Sequence, residues 1–203
     1  CIGNGRNLFK KTDQIEKLKK IKVIKYSLNK EQKDSLKYLE NVRGKFNVSV
    51  LQGATGSGKT LVYFERIKKI IEENKQALVL LPEIFLTNQF QSRFEEFFGF
   101  SPAVWHSRIT PKNKRIILKG IIQNKIKLII GARSSLMLPF KKLGIIIVDE
   151  EHDVSYKQDS PMPCYDARNV AIERVKTNPT KLIFGSATPS MMTWKKSVLE
   201  KKL

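Results

Sequence analysis

A short glycine-rich turn, placed where a buried strand has to end, constrains this chain more than any other feature. Val48-Ser49-Val50-Leu51-Gln52 is a largely apolar run, and Gly53-Ala54-Thr55-Gly56-Ser57-Gly58-Lys59-Thr60 follows it directly. The octet matches G-x-x-x-x-G-K-[ST] at every fixed position. Beyond it, Val62, Ile67, Ile70 and Ile71 recur at helical spacing and open an amphipathic helix. Strand, glycine turn and helix in that order point backbone N–H groups inward and aim a helix N-terminus at the same place, which makes a cradle for polyphosphate. Gly53, Thr55, Gly56, Ser57 and Gly58 would line it, Lys59 would face the β- and γ-phosphates, and Thr60 would ligate Mg²⁺.

The pattern around this turn predicts the layers. Short apolar strands are expected at residues 48–52, 77–81, 103–106, 127–130, 144–148 and 181–185, alternating with amphipathic helices such as 59–73 and 85–98. That alternation argues for an α/β fold, a three-layer lobe with a mostly parallel central sheet. Phe90, Phe94 and Phe97 fall on the apolar stripe of the second helix and read as core. Thr110 followed by Pro111 marks a helix start, and Thr188 followed by Pro189 a second one. A further helix should open at Asn29-Lys30-Glu31-Gln32. Residues 1–27 are lysine-rich without a core pattern and read as a basic linker or the tail of an upstream domain, leaving 28–203 as one ATP-binding domain.

Charge narrows the partners. The 203 residues carry 38 Lys+Arg against 19 Asp+Glu, a formal net charge of +19, which draws the chain toward polyanions such as nucleic acid. A lysine-, isoleucine- and asparagine-rich composition of this kind also arises from AT-rich coding DNA, so the excess establishes a basic surface and not a binding site. Apolar runs such as Ile145-Ile146-Ile147-Val148 fall far short of the ~20 residues a membrane-spanning helix needs. Cys1 and Cys164 are far apart with no C-x-x-C pairing, which supports neither zinc nor a disulfide framework; a cytoplasmic location is expected, with no membrane partner. A chain that opens on Cys1 without an apolar leader reads as a fragment rather than a secreted precursor.

The reactive groups follow a second buried strand. Residues 144–148 empty into Asp149-Glu150-Glu151-His152. At the carboxyl end of a central strand Asp149 can reach the Mg²⁺ held by Thr60, while Glu150 can polarise a water for in-line attack on the γ-phosphate, with Lys59 completing the catalytic set. ATP hydrolysis is the expected reaction. The strand at 181–185 delivers Gly185-Ser186-Ala187-Thr188-Pro189 to the same edge.

Phosphate loop, D-E-x-H and S-A-T in this order resemble the first RecA-like lobe of superfamily 2 helicases and translocases. Three further stretches are similar to one family within it, the primosomal replication-restart helicases: Leu81-Pro82-Glu83-Ile84-Phe85-Leu86-Thr87-Asn88-Gln89, Gly131-Ala132-Arg133-Ser134-Ser135 with Pro139-Phe140, and Ser155-Tyr156-Lys157-Gln158 after the acidic turn. The resemblance spans residues 28–194 and implies a DEAH-box, ATP-dependent 3′ to 5′ DNA helicase that acts on single-stranded and forked DNA, with primosome and single-strand-binding proteins as partners. It implies that His152, Ser186 and Thr188 couple the γ-phosphate to movement between lobes, although the Ser186 and Thr188 hydroxyls would also suit a helix cap. It implies DNA contacts by Arg133, Ser134, Ser135, Tyr156, Lys157 and Tyr165.

Gln32 has two readings. By resemblance it reads adenine; by spacing, Asn29 and Gln32 form a capping box. The chain departs from the family at Met162-Pro163-Cys164 and at Asp166, which reads as the cap of a helix beginning at Ala167. Relatives also carry a second RecA-like lobe with γ-phosphate arginines, a zinc module and an N-terminal DNA-binding domain, none of which is expected here, since no Q-x-x-G-R-x-G-R pattern follows Pro189. Two alternatives stand beside this reading: the motor lobe of another superfamily 2 translocase, and a nucleotide- or DNA-binding remnant without turnover.

Overall fold

The computed structural model describes residues 27–41 and 48–195. Six strands, β1 (Val48–Gln52), β2 (Gln76–Leu80), β3 (Ala103–Trp105), β4 (Leu128–Gly131), β5 (Leu143–Val148) and β8 (Lys181–Ser186), form one sheet in the order β1-β8-β5-β2-β4-β3. Every pairing within it is parallel, so the sheet is more regular than the mostly parallel one expected. Two short strands, β6 (Lys157–Gln158) and β7 (Tyr165–Asp166), form a separate antiparallel hairpin that the sequence did not announce. The helices are α1 (Lys30–Asn41), α2 (Lys59–Glu72), α3 (Asn88–Phe98), α4 (Pro111–Ile122), α5 (Ala167–Thr177) and the short α6 (Met191–Trp194).

Two apolar layers hold the sheet between these helices. Side chains alternate across each strand, so Ala77, Val79, Ile145, Ile147 and Ile183 face α2 and α3, while Leu78, Leu80, Ile146, Val148, Leu182 and Phe184 face α4 and α5. Connections that step toward the β3 edge place their helices on the first face, and those that step back place theirs on the second. This is the pattern that a single crossover hand demands. Phe64 of α2 meets Phe94 and Phe97 of α3 at centroid distances of 4.7 and 4.8 Å, so the phenylalanines at helical spacing are core, as expected. At the opposite end from the chemistry, buried Gln76 donates to the carbonyls of Ile121 and Ile126 and accepts from the N–H groups of Lys141 and Lys142, one amide fixing three connections.

Strand positions agree with the sequence reading to within one residue, whereas two helix starts need correction. The helix expected from residue 85 begins at Asn88, because the Thr87 hydroxyl accepts from Phe90 N–H and caps it there; Glu83–Phe85 is a separate 3₁₀ turn. Pro189 does not open a helix. Ser190 does so, accepting from Thr193 N–H ahead of α6. Thr110 and Pro111 start α4 as expected, and Asp166 caps α5 through Arg168 N–H. Residues 1–26, most of the segment read as a linker, lie outside the described residues.

Candidate functional site

All six parallel strands end on the same side, and the sequence places its reactive residues there, where open α/β sheets bind ligands. The phosphate loop leaves β1 and is tied at once to the neighbouring strand, Gly53 N–H donating to Ser186 O at 3.2 Å. Gly56 and Gly58 adopt φ of +81° and +83°, a left-handed backbone that favours glycine, and Gly58 caps α2 without any side-chain acceptor. The Lys59 and Thr60 N–H groups that open α2 therefore meet no side-chain cap, while Leu61 N–H turns back to Gly58 O at 2.9 Å. Lys59 donates from Nζ to Gly53 O at 2.7 Å and Ala54 O at 3.2 Å, which places its ammonium within the curl of residues 53–58. Ala54, Thr55, Gly56 and Ser57 are exposed, and Thr60 is half-buried on the first turn. A fixed cation, uncapped helix N–H groups and an exposed glycine loop fit a polyphosphate.

Helix α1 lies beside this loop, held by buried Leu39, by ion pairs of Glu40 with Lys69 and Arg66, and by Lys181 donating to Leu39 O. Of the two readings of Gln32 the capping box is the one seen in the geometry, and the same side chain also reaches the phosphate loop. Its Oε1 accepts from Asn29 N–H and Asn29 Oδ1 accepts from Gln32 N–H, the reciprocal capping box, while Nε2 donates to Ser57 O in the phosphate loop at 2.9 Å.

The acidic turn is built from the inside. Asp149 is buried at the end of β5, and its Oδ1 accepts from the Tyr63 hydroxyl at 3.1 Å. Burial, with the negative charge of Glu150 added to it, pushes the Asp149 carboxyl up to about 6, outweighing the lowering by the Tyr63 hydrogen bond and by Lys59. A buried carboxylate pushed up in this way suits a cation. Glu150 is half-buried at φ +49°, with Oε2 3.6 Å from His152 Nδ1. His152 Nδ1 and Ser186 Oγ share a hydrogen bond at 2.7 Å, its donor set by the ring tautomer, and Ser186 Oγ also accepts from Thr188 N–H at 3.1 Å. The three residues expected to couple are thus in one chain of contacts beginning beside Glu150.

Glu151 is a residue whose role sequence reasoning missed. It is fully buried and accepts from the Ser190 hydroxyl and N–H and from the Thr193 hydroxyl, so it anchors α6. The serine and threonine three apart at residues 190 and 193 were the visible signal. Arg168 holds the same turn from the other side, donating to Glu151 O and gripping both oxygens of Asp166. Burial alone would raise the Asp166 carboxyl, but the hydrogen bonds and charge of Arg168 hold it below its usual range.

The expected DNA contacts divide. Ser134 is exposed on the 3₁₀ turn Arg133–Met137, and Lys157 is exposed with Asp159 at 2.9 Å from its ammonium. Arg133 donates to the carbonyls of Ser155 and Lys157, fastening the hairpin that begins at β6, and Tyr165 is half-buried against the core. Two assignments need correction. Ser135 is buried, its hydroxyl donating to Ala132 O at 2.6 Å, and Tyr156 is 1 % exposed, its hydroxyl donating to Asp149 O at 2.5 Å with Leu80 O at 3.1 Å. Neither side chain is offered to a nucleic acid, because each fills a core position and satisfies its hydroxyl inside the protein. Among the described residues no cluster of three or more His, Cys, Asp or Glu could hold a metal, and no helix is long and apolar enough to cross a membrane.

Comparison with known proteins bears on this geometry. The family model of the DEAD/DEAH box helicases matches residues 12–196. The replication restart protein PriA of Rickettsia conorii is 47% identical over 166 residues, covering 82% of this chain and 25% of that protein. That of Helicobacter pylori is 42% identical over 188 residues, covering 93% of this chain and 29% of that protein. Among solved structures, RecG bound to a three-way DNA junction matches with a TM-score of 0.64 and 25% identity, over 92% of this chain and 24% of that one. The chain therefore spans about a quarter of the length of these relatives, and its fold is a RecA-like helicase lobe.

Proposed function

The chain belongs to the DEAD/DEAH box helicase family, and from its likeness to PriA replication restart proteins we propose that it is the ATP-binding motor lobe of a 3′ to 5′ DNA helicase acting in replication restart. The observation that carries the proposal is the meeting of an uncapped, glycine-built phosphate loop with the buried carboxylate of Asp149 at one edge of the sheet. ATP is the substrate of this site. Lys59 holds the β- and γ-phosphates, and the N–H groups of residues 55–60 surround them. Thr60 and Asp149 would hold Mg²⁺, which neutralises phosphate charge as the transition state forms. Glu150 takes the proton from an attacking water, and Gln32 reads adenine from α1 while keeping its bond to the loop.

His152 and Ser186 pass the state of Glu150 to Thr188 and α6, the segment that leads on toward a second lobe. Ser134, Arg133, Lys157 and Tyr165 form the DNA side, with Ser134 exposed to meet a phosphate and Lys157 exposed to meet one in exchange for its surface pair with Asp159. Single-stranded and forked DNA, primosome proteins and single-strand-binding protein are the proposed partners, and the cytoplasm the proposed location. The proposed domain is 28–203, preceded by a basic linker; γ-phosphate arginines and any zinc module belong to other parts of a longer protein.

Fluorescent-nucleotide titration of the 203-residue chain, with phosphate release measured in parallel, tests the reading. Mg·ATP should bind, and Lys59→Ala should weaken it by about 100-fold or more through loss of a charged hydrogen-bond donor. Hydrolysis should be slow until a second lobe is supplied covalently, since an arginine finger is worth about 10³–10⁵ in rate. Unchanged affinity in a folded Lys59→Ala overturns the phosphate-loop assignment, and robust DNA-stimulated turnover by this lobe alone overturns the two-lobe mechanism.

A further inference from the structure

Tyr63 follows Thr60 by three residues on α2, so the two share a face of the helix one turn apart. Its ring is 2 % exposed and packs in the core, a task that phenylalanine would perform equally well. The hydroxyl therefore needs a reason, because a buried phenol must find a partner or destabilise the fold. That partner is Oδ1 of Asp149, at 3.1 Å.

Space for the hydroxyl comes from a third element. A Cβ built on Gly185 of β8 would overlap the Tyr63 hydroxyl, lie 2.7 Å from Tyr63 Cζ and stand 3.1 Å from Asp149 Oδ1. Gly185 sits within an extended strand, paired with Leu51 of β1, where the backbone has no need of glycine. Its missing side chain is what lets the helix after the phosphate loop touch the end of β5.

We propose that Tyr63 is a positioning residue for the metal-binding carboxylate: its hydroxyl fixes Asp149 relative to Thr60, in space that Gly185 leaves open. The inference rests on the nucleotide and Mg²⁺ reading given above. An aspartate free to rotate gives up rotamer freedom on binding a cation, whereas one already oriented by a buried donor does not. The bond also joins the phosphate-loop helix, the acidic turn and the strand that carries Ser186. A shift of any one of these elements is felt at the carboxylate.

The test separates metal from nucleotide. Binding of a fluorescent, non-hydrolysable ATP analogue to the 203-residue chain is followed as Mg²⁺ is titrated, for wild type, Tyr63→Phe, Gly185→Ala and the double variant, with a thermal melt of each. Tyr63→Phe should leave the Mg²⁺-free affinity within about twofold while raising the Mg²⁺ midpoint roughly three- to tenfold, the effect of one lost hydrogen bond. Gly185→Ala, which expels the hydroxyl with the phenol intact, should move the midpoint the same way, and the double variant should add little to it. A folded Tyr63→Phe with the wild-type midpoint, or midpoint shifts that simply add, overturns the positioning role and leaves the nucleotide reading standing. A wild-type chain whose nucleotide affinity ignores Mg²⁺ overturns the metal assignment of Asp149 and this inference with it.

Discussion

The phosphate loop and the acidic turn meet at one edge of the sheet, yet they are held by different means. Residues 54–57 are exposed, and the loop keeps its shape through the left-handed glycines 56 and 58 and through Lys59 resting on carbonyls of its own loop. Asp149 and Glu151 are buried instead, each with a hydroxyl partner from a distant element, Tyr63 for the first and Ser190 and Thr193 for the second. The loop's lysine can exchange carbonyl oxygens for phosphate oxygens without disturbing the core. The acidic turn is finished before any ligand arrives, and its cost is already present in the folded protein. One side adapts and the other is prebuilt.

The largest effect should come from removing charge without removing shape on the prebuilt side. Glu150→Gln keeps the side chain's length and hydrogen bonding but loses the basicity that the proposed activation of water requires. In a form of the protein that includes a second lobe, ATP should still bind while hydrolysis falls by about 10²–10⁴, the range of a general base. Single-turnover hydrolysis beside equilibrium binding checks it. Turnover near the wild-type rate would remove Glu150 from the chemistry, and Glu151, locked on Ser190 and Thr193, could not replace it without α6 coming apart.

A smaller effect exposes the cost of burying the aspartate. Asp149 sits at about 6 against an ordinary 3.8, so the folded protein holds its proton more tightly than the unfolded chain does. That contribution to stability is fully present below the unfolded value and is lost as pH rises through about 6. The shift of about 2 units corresponds to about 3 kcal/mol of stability lost between acid and neutral pH in the absence of a cation. Asp149→Asn removes the titration and should be the more stable protein at pH 7.5, with a flatter profile. Urea denaturation from pH 4 to 7.5 decides it, and parallel profiles for the two proteins would place the pH dependence on other groups.

Legibility followed the range of the interactions. The strands and the loop were readable because each depends on neighbours in sequence: β-branched runs, glycines that permit positive φ, a lysine at fixed spacing. The start of α3 was missed because Phe85 and Leu86 continue the apolar spacing while Thr87 ends it, a contest between periodicity and a cap that the cap won. Tyr156 was expected at the DNA from the family resemblance alone, and nothing beside it in sequence marks it as core. Its placement is decided by Leu80 O, 76 residues away, and by the apolar layer of the sheet in which its ring is buried, which no local pattern encodes. Glu151 has no role that its neighbours reveal, because its partners lie 39 and 42 residues further on. The fold and the grouping of the phosphate loop with the acidic turn were therefore visible, and the burial of individual residues within that turn was not.

The smallest effect sharpens the contrast between the two sides. Tyr156→Phe removes a hydroxyl that donates to Asp149 O inside the core; Leu80 O keeps Asp149 N–H as a donor, but Asp149 O loses a short bond in a place where water cannot replace it. The expected cost is about 1–2 kcal/mol of stability. Lys59→Ala, proposed to be severe for nucleotide binding, breaks only bonds to carbonyls of a partly exposed loop and should change stability by no more than about 0.5 kcal/mol. Urea denaturation of both variants at one pH, without nucleotide, makes the comparison directly. Equal losses would mean that Lys59 is part of the protein's structural frame and that the phosphate loop is as prebuilt as the acidic turn. A loss confined to Tyr156→Phe would establish that the two sides of the site are held in different ways: one by the core, the other by the backbone of the loop.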